Sequence, residues 1–299
     1  MRRAFRSLQQ TRSAWAALSL ALACLLAWPA AGAAALRLHE VTVPLAGKTE
    51  ADRAAAFSAA LRTVVVRVSG RRAAATNRTV AAADPTRHVQ RYSTTADGQL
   101  KVGFDGRSIE QLLQQAGLPV WPRERPVTTI DAAESDRSEL QRAADARGLP
   151  VAFAGGAGGG GATVLAGRRV GAQYEWTFRH AGEAVTATGT AETGVDLAAD
   201  TLAARYAPES TRSTNAVTIR VAGMQRLDAY SGLLAYLDSL SLVRSIDVES
   251  LERDVVQLRL AVRGDRTLLD RIVALDTRLQ AVAETGDGTP AGVDFLYVP

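Results

Sequence analysis

Apolar and polar residues along 36–126 follow a pattern that predicts a strand and then a long helix. Residues 36–43 alternate between apolar and polar side chains, which is typical of a strand with one buried face. Thr49 and Asp52 have the spacing of a capping box, so a helix is predicted to begin at this point. Apolar residues then recur at helical spacing until Gly70, a residue type that commonly ends helices.

The rest of this segment predicts a hairpin followed by a second helix. Strands are predicted over 88–95 and 99–104, joined through an Asp-Gly dipeptide, because that dipeptide favours tight hairpin turns. A helix is then predicted to be capped at Ser108 and to end at Gly117. The order β-α-β-β-α indicates an α+β module over 36–126.

The middle segment, 127–208, alternates between strand and helix patterns around a glycine-rich run. The predicted elements are a strand at 127–131, a helix at 137–146, strands at 151–154, 163–170, 173–179 and 184–191, and a helix at 197–206. This order predicts a second α/β module.

The last segment, 217–299, has the most regular pattern in the chain. The predicted elements are a strand at 217–221, a helix at 227–240, strands at 243–249 and 255–262, a second helix whose apolar face includes Leu268, Leu269, Ile272, Val273 and Leu279, and a strand at 295–298. The order β-α-β-β-α-β is that of the ferredoxin-like split unit. We therefore expect an α+β protein of three small α/β modules. The last module is expected to fold by itself and to dock a partner at an edge strand.

The first 33 residues have the composition of an export signal. Four arginines and no acidic residue precede a mostly apolar stretch at 14–27, and small residues follow Pro29. Cleavage is expected near Ala33, which makes the mature protein periplasmic. The apolar stretch is shorter than the ~20 residues that a membrane-spanning helix needs. Lipidation at Cys24 is the alternative, and the sequence leaves both general secretory and twin-arginine export open.

Removal of that signal changes the charge of the chain. The full sequence holds 35 Lys and Arg against 31 Asp and Glu, so loss of four signal arginines brings the formal charge to zero. Nucleic-acid binding calls for a basic surface. Outside the string Trp121-Pro122-Arg123-Glu124-Arg125, which is short and half neutralised, no cluster of Lys and Arg with interleaved aromatic residues occurs, so we expect no nucleic-acid partner. Cys24 is the single cysteine, so the mature chain cannot form a disulfide framework or a thiolate metal site.

The glycine-rich run at 155–161 contains the spacing Gly-x-Gly-x-x-Gly at Gly156, Gly158 and Gly161. Dinucleotide binding needs a helix directly after such a loop, whereas the residues from Thr163 onward predict a strand. We therefore interpret the run as a flexible connector and expect no cofactor.

Candidate chemistry is sparse in the rest of the chain. His39, His88 and His180 lie far apart and have no other ligand at metal-binding spacing, so no metal site is expected. No serine occurs in a Gly-x-Ser-x-Gly motif. Trp121 and Trp176 are predicted to be core residues. The sequence thus assigns no catalytic, cofactor-binding or metal-binding residue.

Several ordered strings stand out along the chain. They are Ala51-Asp52-Arg53, Val66-Arg67-Val68-Ser69-Gly70, Leu112-Leu113-Gln114-Gln115-Ala116-Gly117-Leu118-Pro119-Val120-Trp121, Arg147-Gly148-Leu149-Pro150 and Tyr174-Glu175-Trp176. Together these strings resemble a proteobacterial family called domain of unknown function 2066 (DUF2066). The resemblance implies a signal-bearing envelope protein without an established activity. The glycine-rich run stands where that family has a longer acidic stretch and a helix.

Two hypotheses about function follow. The first is a non-enzymatic exported envelope protein, a periplasmic binding or assembly-support module whose partner is another envelope protein. The second is an envelope enzyme whose site is assembled across the modules from residues such as His88, Arg125 and Asp200. A cleft with convergent ionisable groups would favour the enzyme, and an apolar groove or open sheet edge would favour the binding protein.

Overall fold

The computed structural model describes residues 37–155, 161–282 and 292–298 of the 299-residue chain. Its helices and three mixed or antiparallel sheets confirm the α+β class. Residues from Leu36 onward form one compact unit. The predicted export signal, with Cys24 and Ala33, and most of the glycine-rich run lie outside the described residues. Within the described ranges, no helix is long and apolar enough to cross a membrane.

The first sheet is built from three antiparallel strands in the order β1-β3-β2. Its elements are β1 (Glu40–Val43), α1 (Glu50–Ser69), α2 (Arg78–Ala82), β2 (Val89–Thr94), β3 (Leu100–Phe104) and α3 (Gly106–Gln115). One face of the sheet packs on α1 and α3, where the side chains of Val41 and Val102 are buried. The opposite face carries Glu40, Arg91 and Lys101, since neighbouring residues of a strand point to opposite sides.

Local capping sets the two long helices of this part. Thr49 and Asp52 form the predicted capping box at α1, and the helix ends at Gly70 with φ +71°. The prediction that Ser108 caps α3 is wrong: the cap is Asp105, whose carboxylate accepts from the Ser108 backbone N–H at 2.7 Å. An aspartate is as good an acceptor as serine, so the helix begins one turn earlier.

The second sheet has five strands in the order β5-β4-β6-β7-β8. Its elements are β4 (Thr128–Asp131), α4 (Arg137–Arg147), β5 (Val151–Phe153), β6 (Thr163–Val170), β7 (Gln173–His180), β8 (Glu183–Gly189) and α5 (Ala191–Tyr206). The chain continues from the glycine-rich run into strand β6, as the sequence predicted. The helix predicted at 197–206 begins earlier, because Thr190 and Thr193 cap it reciprocally.

The third sheet has the order β10-β11-β9-β13-β12. Its elements are β9 (Thr214–Ala222), α6 (Leu227–Ser239), β10 (Val243–Glu252), β11 (Val255–Arg263), α7 (Arg266–Val273), β12 (Leu279–Ala281) and β13 (Phe295–Tyr297). The neighbour order of the four strands β10-β11-β9-β13 matches that of a ferredoxin-like unit. However, β13 fills the fourth position and runs parallel to β9, with β12 added outside it. The prediction that Leu279 belongs to the second helix is wrong, since α7 ends at Val273 and Leu279 lies in β12.

The apolar core is divided differently from the sequence segments. The first sheet with α1 and α3 has its own cluster, whereas the second and third sheets share one continuous cluster. Trp121 and Trp176 are both buried, which confirms their prediction as core residues. Trp121 lies on the link between the first and second sheets.

Candidate anion-binding cleft

A cleft runs from the outer face of the first sheet to the edge of the third sheet. It consists of two adjoining cavities of about 790 and 480 Å³. The cavities share Leu38, His39, Gly106 and Arg123. We call the larger cavity the outer part, and the smaller one, between α3, the 120–123 link and the start of β10, the deep part.

Glu40 is the centre of the outer part. Its carboxylate forms ion pairs of 2.9 Å with Arg37, Arg91 and Lys101. The hydrogen bonds from Lys101 and Arg37 are the main reason that the pKa of Glu40 is lowered to about 2. Register brings these groups together, because Gly103 of β3 lies between Glu40 and Arg91, and the Arg91 side chain crosses this glycine to reach Glu40.

Glu110 is the anion of the deep part that forms ion pairs. Its Oε2 accepts from Arg244 of β10 and from Arg263 of β11, both at 2.7 Å. Arg263 is buried, and within the described residues its Nε and Nη1 have no hydrogen-bond partner. Burial lowers the pKa of Arg263, but an arginine remains charged at neutral pH. The deep part thus holds a buried cation with unused donors.

His39 forms the wall between the two parts. A Cβ atom on Gly106 would lie 3.1 Å from the His39 ring, so the glycine at the start of α3 allows this close approach. Nε2 of His39 is buried and has no partner among the described residues. Burial lowers the pKa of His39, which keeps the ring neutral at neutral pH.

Basic groups outnumber acidic groups along the cleft. The lining includes seven basic side chains against three acidic ones, Glu40, Glu110 and Asp238. The basic residues are Arg37, Arg91, Lys101, Arg107, Arg123, Arg244 and Arg263. Arg107 and Arg123 are exposed, and their side chains form no hydrogen bond or ion pair within the described chain. The mature chain is expected to be neutral overall, yet its cleft forms a local basic surface.

The link behind the cleft is held rigidly. Glu124 accepts from both the backbone N–H and the hydroxyl of Ser241, at 3.0 and 2.6 Å. Arg125 is buried and donates to four backbone carbonyls, those of Arg67, Trp121, Pro122 and Gly148. Burial lowers the pKa of Arg125 to about 9, so it is still charged at neutral pH. These bonds fix the position of Arg123 between the first and third sheets.

The three residues of the enzyme hypothesis lie in separate environments. Nδ1 of His88 contacts the Ser108 hydroxyl at 2.6 Å, and burial lowers the pKa of His88. Arg125 is bonded to backbone carbonyls, and Asp200 pairs with Arg147. Within the described residues, no hydrogen bond or ion pair joins any two of the three.

Sequence reasoning also missed the residues that build the cleft. His180 lies at the end of β7, where its ring contacts the hydroxyls of Thr163 and Tyr206, outside the cleft. Glu40, Glu110 and Arg263 carry no motif, and only strand register and the meeting of two sheets bring their partners to them. Over the described residues, no group of three or more His, Cys, Asp or Glu side chains could hold a metal ion.

Comparison with known families concerns the first sheet and its helices. The family described as "Domain of unknown function (DUF8605)" matches residues 33–122. This range contains Glu40 and Glu110, whereas Arg123, Arg244 and Arg263 lie outside it. No curated protein and no solved structure matches the chain.

The family match corrects the resemblance to domain of unknown function 2066. Over residues 33–122 the matching family is a different domain of unknown function. The strings behind the resemblance mark common local structure. Leu112 and Leu113 form the buried face of α3, and Gly117 follows it with a positive φ, as in many capped helices. This string therefore reports a helix and its end.

Proposed function

We propose that this protein is an exported, non-enzymatic binding or assembly-support module of the envelope. The basic cleft is the observation that carries the proposal. Its surplus of positive charge lies between two sheets, where a partner can contact both. A positively charged cleft with low-dielectric walls attracts anionic groups and orients them on approach. The partner is accordingly a protein that presents anionic groups.

The ionisable groups of the cleft are suited to binding rather than to proton transfer. With a pKa of about 2, Glu40 is too weak a base for catalysis near neutral pH. Glu110 is engaged by two arginines, and the free nitrogen of His39 is covered by protein. A general base must reach a substrate proton within hydrogen-bond distance, and these groups do not offer such access.

The envelope-enzyme alternative rests on one contact, that between His88 and the Ser108 hydroxyl. A histidine next to a hydroxyl can activate it as a nucleophile when a third group orients the ring. The nearest acid in sequence, Asp84, instead accepts from Thr86. If the alternative holds, Ser108→Ala abolishes function in cells while the cleft variant Arg123→Gln leaves it intact.

A site-specific crosslink in intact envelope tests the proposal. A photo-crosslinking amino acid at position 123, at the mouth of the cleft, should capture a defined protein. The same amino acid at position 62, which is exposed on α1 away from the cleft lining, is the matched control. A product at both positions, or at neither, would contradict a binding role for the cleft. Mass spectrometry of the mature N-terminus tests export, with cleavage near Ala33 expected.

A further inference from the structure

The deep part of the cleft contains buried donors that the described residues leave without an acceptor. Arg263 is only 5% exposed, and one of its nitrogens donates to Glu110 while Nε and Nη1 have no partner. Nε2 of His39, in the adjoining wall, is also unpaired, and it is a donor only in the tautomer that carries its proton there. The unpaired nitrogens of Arg263 lie behind the cleft surface and are not themselves open to a ligand. Arg263 instead adds a buried positive charge to the wall of the deep part, and a positive charge of this kind favours a further anion in the cavity.

We propose that the cleft binds an acidic peptide segment of the partner, with one carboxylate in the deep part and another in the outer part. The inference rests on the binding function proposed above and names the chemistry that the site recognises. The deep carboxylate would accept from the two exposed arginines Arg107 and Arg123, with the buried charge of Arg263 behind them. The outer carboxylate would join Arg91 and Lys101 beside Glu40.

The protein's own carboxylates show that both positions accept this group. Glu40 is seated among three cations, and Glu110 between two. In the outer part three cations surround one carboxylate, and in the deep part four basic side chains line the cavity against two carboxylates, Glu110 and Asp238, so a further anion still meets a surplus of positive charge. Arg107 and Arg123 have no side-chain partner in the described chain, so they can turn toward an entering group without breaking an ion pair.

The shape and lining of the cleft favour a peptide over other anions. A bilayer surface is flat, whereas these cations line a concave space between two sheets. Single-stranded nucleic acid binds through stacking on exposed aromatic rings. Of the aromatic residues that line the cleft, Phe104 and Trp121 are buried and only Tyr92 is exposed. An extended chain with spaced carboxylates can lie along the two adjoining cavities and reach both charged positions.

Fluorescence anisotropy with the full mature chain tests this inference. The probe is a fluorescein-labelled octapeptide of alternating Glu and Gly, and the control probe replaces Glu with Gln. Arg123→Gln and Arg91→Gln should each weaken binding of the acidic probe by roughly three- to tenfold, as expected for charge contacts at an interface. Arg62→Gln removes the same charge from an exposed position outside the cleft and should leave the affinity unchanged.

Glu110→Gln is the most informative variant, because the affinity for the acidic probe should rise while Tm falls. It removes the internal competitor for Arg244 and Arg263, so the acidic probe should bind roughly three- to tenfold more tightly. It also removes ion pairs between α3 and the third sheet, so Tm should fall. If Glu110 were only a structural tie, Tm would fall without any gain in affinity.

Three results would overturn the inference. The first is equal binding of the Glu and Gln probes. The second is unchanged affinity in both Arg123→Gln and Arg91→Gln. The third is full displacement of the probe by inorganic phosphate, or by phosphatidylglycerol vesicles, at a higher affinity than that of the peptide. A partner crosslinked at position 123 together with no binding of the acidic probe would refute the peptide chemistry and leave the proposed function standing. Failure of both experiments would refute both.

Discussion

Glu40 shows how one side chain can hold a charged surface together. Three cations, Arg37 ahead of β1, Arg91 on β2 and Lys101 on β3, converge on its carboxylate, which is 14% exposed. Its pKa is about 2 in the folded protein against an ordinary value of 4.5. Because the folded-state pKa is the lower one, the ion pairs stabilise the fold above the ordinary pKa. That contribution is lost as the pH falls toward 2.

The first prediction follows from this linkage. Glu40→Gln should lower the free energy of unfolding at pH 7 by about 1 kcal/mol, as for a partly exposed ion-pair network. The difference from the unsubstituted protein should shrink as the pH falls and be small near pH 2, where Glu40 is protonated in the unfolded state and about half protonated in the folded state. Urea denaturation at both pH values measures it, with the exposed Glu252→Gln as control. A loss that is the same at both pH values would contradict the assigned cause.

Helix α3 carries Glu110 into the cleft, so its first turn matters at the scale of elements. The second prediction is that Asp105→Ala destabilises the protein by about 1 kcal/mol, because the cap on the Ser108 N–H is lost. Asp105→Asn keeps the acceptor and should cost only a few tenths of that. Thermal unfolding of the two variants distinguishes capping from charge. Equal losses would mean that the charge of Asp105 is what matters.

Most elements could be predicted from the sequence because their signals are local. The capping box at Thr49, the hairpin dipeptide before β3 and the apolar stripe of α6 each depend on residues within a few positions. The errors arose where two local signals competed or where an element was short. Thr190 began α5 earlier than the apolar pattern indicated, and Leu279 continued the period of α7 although it pairs in β12.

The cleft itself could not be predicted, because its residues meet only in the whole molecule. Glu110 and Arg263 are 153 positions apart, and neither is part of a motif. Their contact depends on the packing of α3, which carries Glu110, against the third sheet. The expected neutral charge of the mature chain concerns only the sum of its charges. A sum cannot show how the charges are distributed over the surface.

Arg147 links the end of α1 to α5 of the second sheet, and the third prediction concerns this link. It is fully buried and donates to the Gly70 carbonyl at 2.9 Å, to Asp196 at 3.1 Å and to Asp200. Arg147→Met should cost about 2–3 kcal/mol, less than a fully buried pair, because Asp200 is 63% exposed and water can solvate it. Arg142→Met, on the exposed side of the same helix, is the control for chemical denaturation. Equal stability of the two variants would show that the hydrogen bonds of Arg147 do not stabilise the fold.

The fourth prediction concerns whether the third sheet, proposed as the module 217–299, folds alone. It shares a core with the second sheet, and Arg271 donates to the Arg205 carbonyl, so separation exposes apolar surface on α7. A fragment from residue 213 onward, which includes all of β9, should therefore unfold cooperatively but at a lower Tm than the whole chain.

Two leucines on α6 test how the fragment is packed. Leu233 is fully buried, so Leu233→Asp should abolish the transition by placing an unpaired charge in the core. Leu234 is half-buried and can turn a carboxylate toward water, so Leu234→Asp should lower Tm without abolishing folding. Calorimetry of the fragment and both variants decides the matter. A fragment without any transition would show that the third sheet needs the second to complete its core, and the module boundary would have to move into the 127–208 segment.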